Sequence, residues 1–513
     1  MSGPRVTLST QGTAASDVVA VARHGAEVTI GADAMAAMAR SNRSVVELGA
    51  RTTPAYGVST GFGALASRFI PVELRATLQE RVVRSHAAGL GDPVEREVVR
   101  AAMFLRLKTM CSGHTGVRPV VAEVYAAMLN HGITPIVPEY GSLGCSGDLA
   151  PLAHCALAAL GEGDATGADG VVRPASDLLA AAGIDPLRLQ AKEGLALING
   201  TDGMLGMLVL AIEDLRALAT ACDVAAAMSV EALLGTDQAF LPQFMALRPH
   251  PGQAASAANL VAVLAGSQIT ASHRDHDDRV QDAYSLRCAP QVLGAMRDTL
   301  EHAATVADRE LAASIDNPVV LEDGSVHSNG NFHGAPLGYA CDFLAIAACD
   351  AASISERRTD RLLDTTRSLG LPAFLAEDPG VDSGLMIAHY TQASIVSSMK
   401  RLAVPASADS IPTSAMQEDH VSMGWAAARK LRDACRCLAR VVAVEALAGA
   451  RALELRGPLQ PAVGTAAAVA AIRGVTVRHD HDEFLAPDLA AVASLVETGA
   501  LVAAVRDVVP TLR

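Results

Sequence analysis

Apolar positions recur at helical spacing through most of the second half of the chain. From about Asp202 onward, segments rich in Ala, Leu and Val carry charges every three or four residues, most clearly over 211–234, 294–314, 340–363 and 425–455. Each predicts a long helix with one buried face. Residues 1 to about 200 differ: short helical stretches alternate with loops rich in Gly, Pro, Ser and Thr, as at 53–57 and 132–135. The pattern predicts an all-α, mainly helical protein in three parts. A loop-rich N-terminal domain spans 1–201 and a central bundle of long helices spans 202–456. A small C-terminal helical segment spans 457–513 and is introduced by Pro458, Pro461 and the run His479-Asp480-His481-Asp482. No internal repeat and no low-complexity tract interrupts it.

Composition sharpens this. Half of the 513 residues are apolar but only 3% are aromatic, so the core is built from Ala, Leu and Val, which favours close-packed helices over sheet. The length suffices for two or three domains. A net charge of -14 and a pI near 5.5 argue against general affinity for nucleic acid or acidic membranes and point to a small-molecule partner. Nine cysteines, an odd number without framework spacing, read as reduced core residues, for example Cys222, Cys341 and Cys349; Cys435 and Cys437 are two apart and make no CxxC pair. No apolar stretch follows Met1-Ser2-Gly3-Pro4-Arg5, and the longest apolar run, 204–212, is too short to span a bilayer, so a cytoplasmic location is expected. His273, Arg274 and His276 have no partner cluster at defined spacing, and no metal is expected. Long flat apolar helix faces predict association between copies.

The most informative stretch is Gly141-Ser142-Leu143-Gly144-Cys145-Ser146-Gly147-Asp148-Leu149-Ala150-Pro151-Leu152-Ala153-His154. If the chain bends sharply at its centre, the amide nitrogen of Gly147 can attack the carbonyl carbon of Cys145, because glycine brings no side chain to block the approach. Loss of one water from the resulting five-membered ring and another from the Ser146 side chain leaves an electron-poor methylidene group open to attack by an amine. Residue 145 gives the ring only backbone. Ser146 or Asp148 could instead simply cap a helix starting near Leu149, and the stretch is not a hydrolase G-x-S-x-G, since Asp148 fills the last position.

This segment strongly resembles the signature of the aromatic amino acid ammonia-lyase family, with Cys145 where the commonest tripeptide begins with Ala. The resemblance runs from Tyr56 to the Phe484-Leu485-Ala486-Pro487-Asp488 segment. It implies an ammonia-lyase/fumarase-like helical fold and a prosthetic group, 4-methylideneimidazole-5-one, formed autocatalytically from Cys145, Ser146 and Gly147 with no external cofactor. It also implies a homotetramer in which each active site draws on three subunits. The loop Tyr56-Gly57-Val58-Ser59-Thr60-Gly61-Phe62-Gly63 matches the family's loop, whose tyrosine is the usual general base, so Tyr56 is the expected base. Gln281, Tyr284 and Arg287 lie three apart and would share one side of a helix or tight turn. By resemblance Arg287 clamps the substrate carboxylate, for which a guanidinium fork is suited, Tyr284 stands near the amine and electrophile, and Gln281 belongs to the same binding segment. Asn199 is expected to bond the carboxylate or the ring, and Phe332, in Asn329-Gly330-Asn331-Phe332-His333-Gly334, to line the pocket. Asp316-Asn317-Pro318 reads as a structural turn.

Two segments speak to the substrate. His86, in Ser85-His86-Ala87-Ala88-Gly89, sits at the family's selecting dyad and excludes a plain phenyl pocket. Gln417-Glu418-Asp419-His420-Val421-Ser422-Met423 resembles the histidine-specific form of its region, with Glu418 facing an imidazole. Met386 is expected beside the imidazole, and His389 stands where relatives commonly have Gln. Together these imply non-oxidative elimination of ammonia from L-histidine to give trans-urocanate. A tyrosine lyase and an aromatic 2,3-aminomutase are the alternatives using the same electrophile; a helical scaffold without activity is disfavoured by the presence of the whole set.

Overall fold

The computed structural model describes residues 4–50, 56–61, 63–65, 67–275, 277 and 279–513. Of the positions singled out above, Met1 to Gly3, Thr53 to Ala55, Phe62 and His276 lie outside the described residues. Among the described residues are twenty α-helices and nine strands of two to four residues, so the fold is helical as expected. The four long segments form the helices Asp202–Ala232, Ala289–Ala312, Ala335–Leu363 and Gly424–Glu454. All four begin earlier than the charge periodicity suggests; the Asp202–Ala232 helix, for example, opens with an acidic residue in its first turn, where the helix dipole favours one.

The chain forms two compact units, each assembled from separate stretches: Met1–Leu210, Ala304–Cys341 and Pro405–Arg429 in one, and Ala211–Ala303, Asp342–Val404 and Lys430–Arg513 in the other. In the first, the Arg96–Cys111 helix is buried at every position from Val98 to Cys111, cations included. That is possible because each cation finds carbonyl oxygens. Arg100 donates to Val21 and Leu129, Arg106 to Asn199 and Ile315, and Lys108 to Glu310 and Ala313. Burial still pushes Arg100 down to about 10 and Lys108 down to about 8. Small sheets edge this unit. Strand Arg5–Leu8 pairs in parallel with Glu27–Ile30, and Thr134–Pro135, Asp164–Thr166 and Val172–Pro174 form an antiparallel set. The sequence reading placed only loops and short helices here, because strands this short leave almost no alternating pattern.

The second unit has no strand among its described residues beyond an isolated Pro379–Asp382 bridge, and its C-terminal part forms helices Val463–Arg473, Ala486–Glu497 and Ala500–Arg506. Its centre holds a wholly buried ion pair, Arg358 with Glu445, and Ser229 and Ser355 also donate to the same carboxylate. Cys222 and Cys349 are buried there as expected, and Cys341 is buried in the first unit. One helix, Ala335–Leu363, is long and apolar enough to cross a membrane, and 61% of its most apolar window is buried within the protein, as in a core helix.

Candidate active site

The Cys145-Ser146-Gly147 bend is held from several sides. Gly144 and Gly147 take left-handed backbone, φ 67° and 75°. A Cβ at Gly147 would stand 2.0 Å from the Gly200 oxygen, so no side chain fits, and the Asp148 N–H donates to that oxygen at 2.7 Å. The Gly144 carbonyl accepts from Ser422 Oγ at 2.8 Å, and the Leu143 carbonyl accepts from the Met423 N–H at 2.9 Å. Asp148 precedes the Leu149–Ala159 helix but does not cap it. Its carboxylate accepts instead from the N–H groups of Gly203 and Met204, in the first turn of the Asp202–Ala232 helix, and from Ser142 Oγ, all at 2.9 Å. Burial nevertheless pushes Asp148 up to about 7, with these donors acting the other way.

The bend forms part of the wall of a cavity of about 1290 Å³. Tyr56, His86, Cys145, Ser146, Asn199, Phe332 and Glu418 all line it, so seven of the twelve expected site residues converge, and Gly147 lies in the bend itself. Asn199 ends the short Glu193–Ile198 helix. Its side-chain N–H donates to the Asn317 carbonyl at 2.9 Å, while its Oδ1 is buried and has no partner among the described residues. Tyr56 Oη accepts from the Gly63 N–H at 3.3 Å. Burial raises the Tyr56 phenol, and the Glu418 carboxylate pushes it the same way against the Gly63 donor. Burial lowers His86, favouring neutral imidazole, although Glu418 and the Val82 carbonyl favour its cation; Ser85 Oγ lies 3.1 Å from its Nδ1. Glu418 Oε2 accepts from Thr413 Oγ1 at 3.2 Å. Burial, with Glu418 close by, pushes the Cys145 thiol up to about 12, so it stays protonated.

His333 and His420, to which no motif assigns a role, both line the cavity. Their rings stack 5.7 Å apart at 7°, and His333 Nε2 lies 3.3 Å from the His420 carbonyl. The Asp316-Asn317-Pro318 turn, read as structural, is built into this wall: Asn317 Oδ1 accepts from Ser328 and the Asn329 N–H, and Asn317 and Asn329 face the cavity.

Gln281, Tyr284, Arg287 and Met386 line no part of this cavity; they belong to the second unit. Tyr284 and Arg287 do share a side, in the one-turn helix Tyr284–Arg287. The guanidinium lies 4.6 Å from the phenol ring centre, and its Nε donates to the Asp282 carbonyl. Gln281 and Tyr284 line a second cavity of about 530 Å³ together with Arg279, Arg361 and Arg367. Met386 opens the Met386–Leu402 helix, where His389 pairs with Glu356 at 2.6 Å.

Residues 13–474 match the aromatic amino acid lyase family model. The chain belongs to the aromatic amino acid lyase family. It is 65% identical over 504 residues to a histidine ammonia-lyase of Streptomyces avermitilis, covering 98% of each chain. Among solved structures it resembles a tyrosine aminomutase from Streptomyces globisporus, with TM-score 0.92, 35% identity and 98% of each chain covered. It also resembles a histidine ammonia-lyase from Trypanosoma cruzi, with TM-score 0.90, 37% identity and coverage of 99% and 96%. As an aromatic amino acid lyase, the chain is a carbon–nitrogen lyase. The site's residues fit the prosthetic ring used by this class: the position of Gly147 admits no side chain, Ser146 faces the cavity, and the unpartnered Asn199 Oδ1 lies in the same wall.

Proposed function

We propose that this aromatic amino acid lyase removes ammonia from L-histidine to give trans-urocanate, the opening step in breaking that amino acid down. The observation that carries the reading is the meeting of Ser146 with His86 and Glu418 in one cavity. A carboxylate and a neutral imidazole side by side offer an acceptor for one nitrogen of a substrate imidazole and a partner of adjustable protonation for the other. Closed into 4-methylideneimidazole-5-one, residues 145–147 would supply an electron-poor carbon that takes up the amine.

The remaining work falls to side chains. Arg287 binds the substrate carboxylate through its guanidinium fork, and Asn199 orients the same end of the molecule. Tyr56 takes the β-hydrogen. Glu418 and His86 hold the imidazole with Met386 near it, Phe332 lines the pocket beside the prosthetic ring, Tyr284 stands near the amine and electrophile, and Gln281 belongs to the same binding segment. Because Gln281, Tyr284, Arg287 and Met386 stand outside the cavity of the single chain, we place them in it from neighbouring copies of a homotetramer. A cytoplasmic location completes the proposal.

The test is product analysis with L-histidine, L-tyrosine and L-phenylalanine. Urocanate and ammonia from histidine, at a kcat/KM well above that for the other two, is the expected result. The fold shared with a tyrosine aminomutase makes return of the amine to the β-carbon the rival outcome, and a β-amino acid product would establish it.

A further inference from the structure

Arg106 is wholly buried on the Arg96–Cys111 helix and touches neither the cavity nor solvent. Its guanidinium donates to the Asn199 carbonyl at 2.5 Å and to the Ile315 carbonyl at 2.7 Å, and Asp202 lies 3.5 Å away. These two carbonyls are not arbitrary. Asn199 puts its amide into the cavity wall, and Ile315 leads directly into Asn317, whose carbonyl receives the Asn199 side-chain N–H. One guanidinium therefore holds the backbone of Asn199 itself and the backbone two residues before Asn317, the partner that orients the Asn199 amide. With its N–H committed to Asn317, the amide is turned so that Oδ1 is left without a protein partner.

The neighbourhood is built around this clamp. A Cβ at Gly200 would stand 2.5 Å from Arg106 Nη1, so the backbone there comes as close to the cation as glycine allows. Lys192, also wholly buried, grips the same segment by pairing with Asp316 at 2.5 Å and donating to the Thr115 carbonyl at 2.7 Å. A buried, always-charged group needs partners, and a solvated cation on the far side of the helix would leave the fold simpler. Stability alone does not require the two carbonyls chosen to be those that fix a cavity-lining amide.

We propose that Arg106 is a positioning residue for the reaction, acting through Asn199 to hold Oδ1 where the substrate's carboxylate end or the ring is bound. The inference rests on the reading of Asn199 given above. Arg106 makes no contact with substrate; its two donors, to the Asn199 and Ile315 carbonyls, fix the 199–200 peptide relative to the 315–317 turn. A lysine in its place offers a single charged head in place of a rigid fork, so it holds one carbonyl at the expense of the other.

The experiment is a double-mutant cycle on the assembled enzyme, with Arg106→Lys, Asn199→Ala and the double variant compared in kcat and KM for L-histidine. Intact mass and thermal melting are followed alongside. Arg106→Lys is expected to keep the wild-type mass loss and a cooperative melt, yet to lower kcat on the order of 10²-fold, the penalty of misplacing a group by about 1 Å. KM should move less. In the Asn199→Ala background the same change is expected to cost little more, because its target is already gone. Equal fold-losses from Arg106→Lys in both backgrounds, or an unchanged kcat, would overturn the proposal. If Arg106→Lys yields no folded protein, the neutral pair Arg106→Gln with Asp202→Asn takes its place in the same cycle, with the same two deciding outcomes. A wild-type enzyme that is not dehydrated and does not act on histidine would sink the functional reading instead, and is distinguishable because it appears before any variant is made.

Discussion

Two buried polar centres, one in each compact unit, are satisfied to different degrees. In the second unit both oxygens of Glu445 are fully engaged, one by Ser229 and Arg358 Nε, the other by Ser355 and Arg358 Nη2. In the first, the Asn199 amide uses its N–H but leaves Oδ1 alone, and the neighbouring Arg106 Nε and Asp202 Oδ2 lack hydrogen-bond partners among the described residues, although Asp202 Oδ2 lies 3.5 Å from Arg106 Nη1. A buried acceptor without a donor costs about 1–3 kcal/mol. A saturated ion pair specifies packing; an incompletely satisfied wall facing a cavity is the form a binding surface takes before its ligand arrives.

That contrast can be broken from either side. The largest effect is expected from Ser146→Ala, which should abolish turnover of histidine while leaving the melting curve close to wild type, because the side chain lines the cavity and the change removes only its hydroxyl. Next, Glu445→Gln should leave Arg358 buried beside an incomplete partner and lower unfolding free energy by about 3–5 kcal/mol, read by denaturant titration, with little change in kcat for the molecules that remain folded. Glu418→Gln should cost about 10- to 100-fold in kcat/KM for histidine, as loss of a charge-assisted hydrogen bond does, and should narrow the preference over tyrosine.

A further prediction concerns pH. Asp148 is raised from 3.8 to about 7 in the folded protein, so the folded state binds the extra proton between those values. Its contribution to stability is complete below about pH 4 and is lost as pH rises through about 7, with a slope of at most about 1.4 kcal/mol per pH unit. Comparing denaturant unfolding of wild type and Asp148→Asn from pH 5 to 8 should show wild type losing ground to the variant as pH increases. Parallel curves would mean that the carboxylate's three donors hold it ionised throughout.

The long helices were legible because charges repeat along one face, and seven wall residues were legible because their short motifs match a family. What escaped was set by contacts between distant stretches. The Arg96–Cys111 helix carries cations that a pattern rule turns outward, but carbonyls from 21, 129, 199 and 310–315 draw them in. His333 and His420 were visible only as members of separate loops, and nothing in either loop announces the other. The Cys145 side chain has no part in the proposed ring closure, yet in the fold its thiol faces Glu418. Gln281, Tyr284, Arg287 and Met386 belong to motifs whose spacing carries no information on whether they reach the cavity of their own chain, and they do not line it.

The central claim is that residues 145–147 become an amine acceptor by losing water. Intact mass of the purified, assembled protein tests it most directly. A chain two waters lighter than its translated sequence, with Ser146→Ala restoring the full translated mass of that variant, is the predicted result. Full translated mass in wild-type protein that still deaminates histidine would contradict the account.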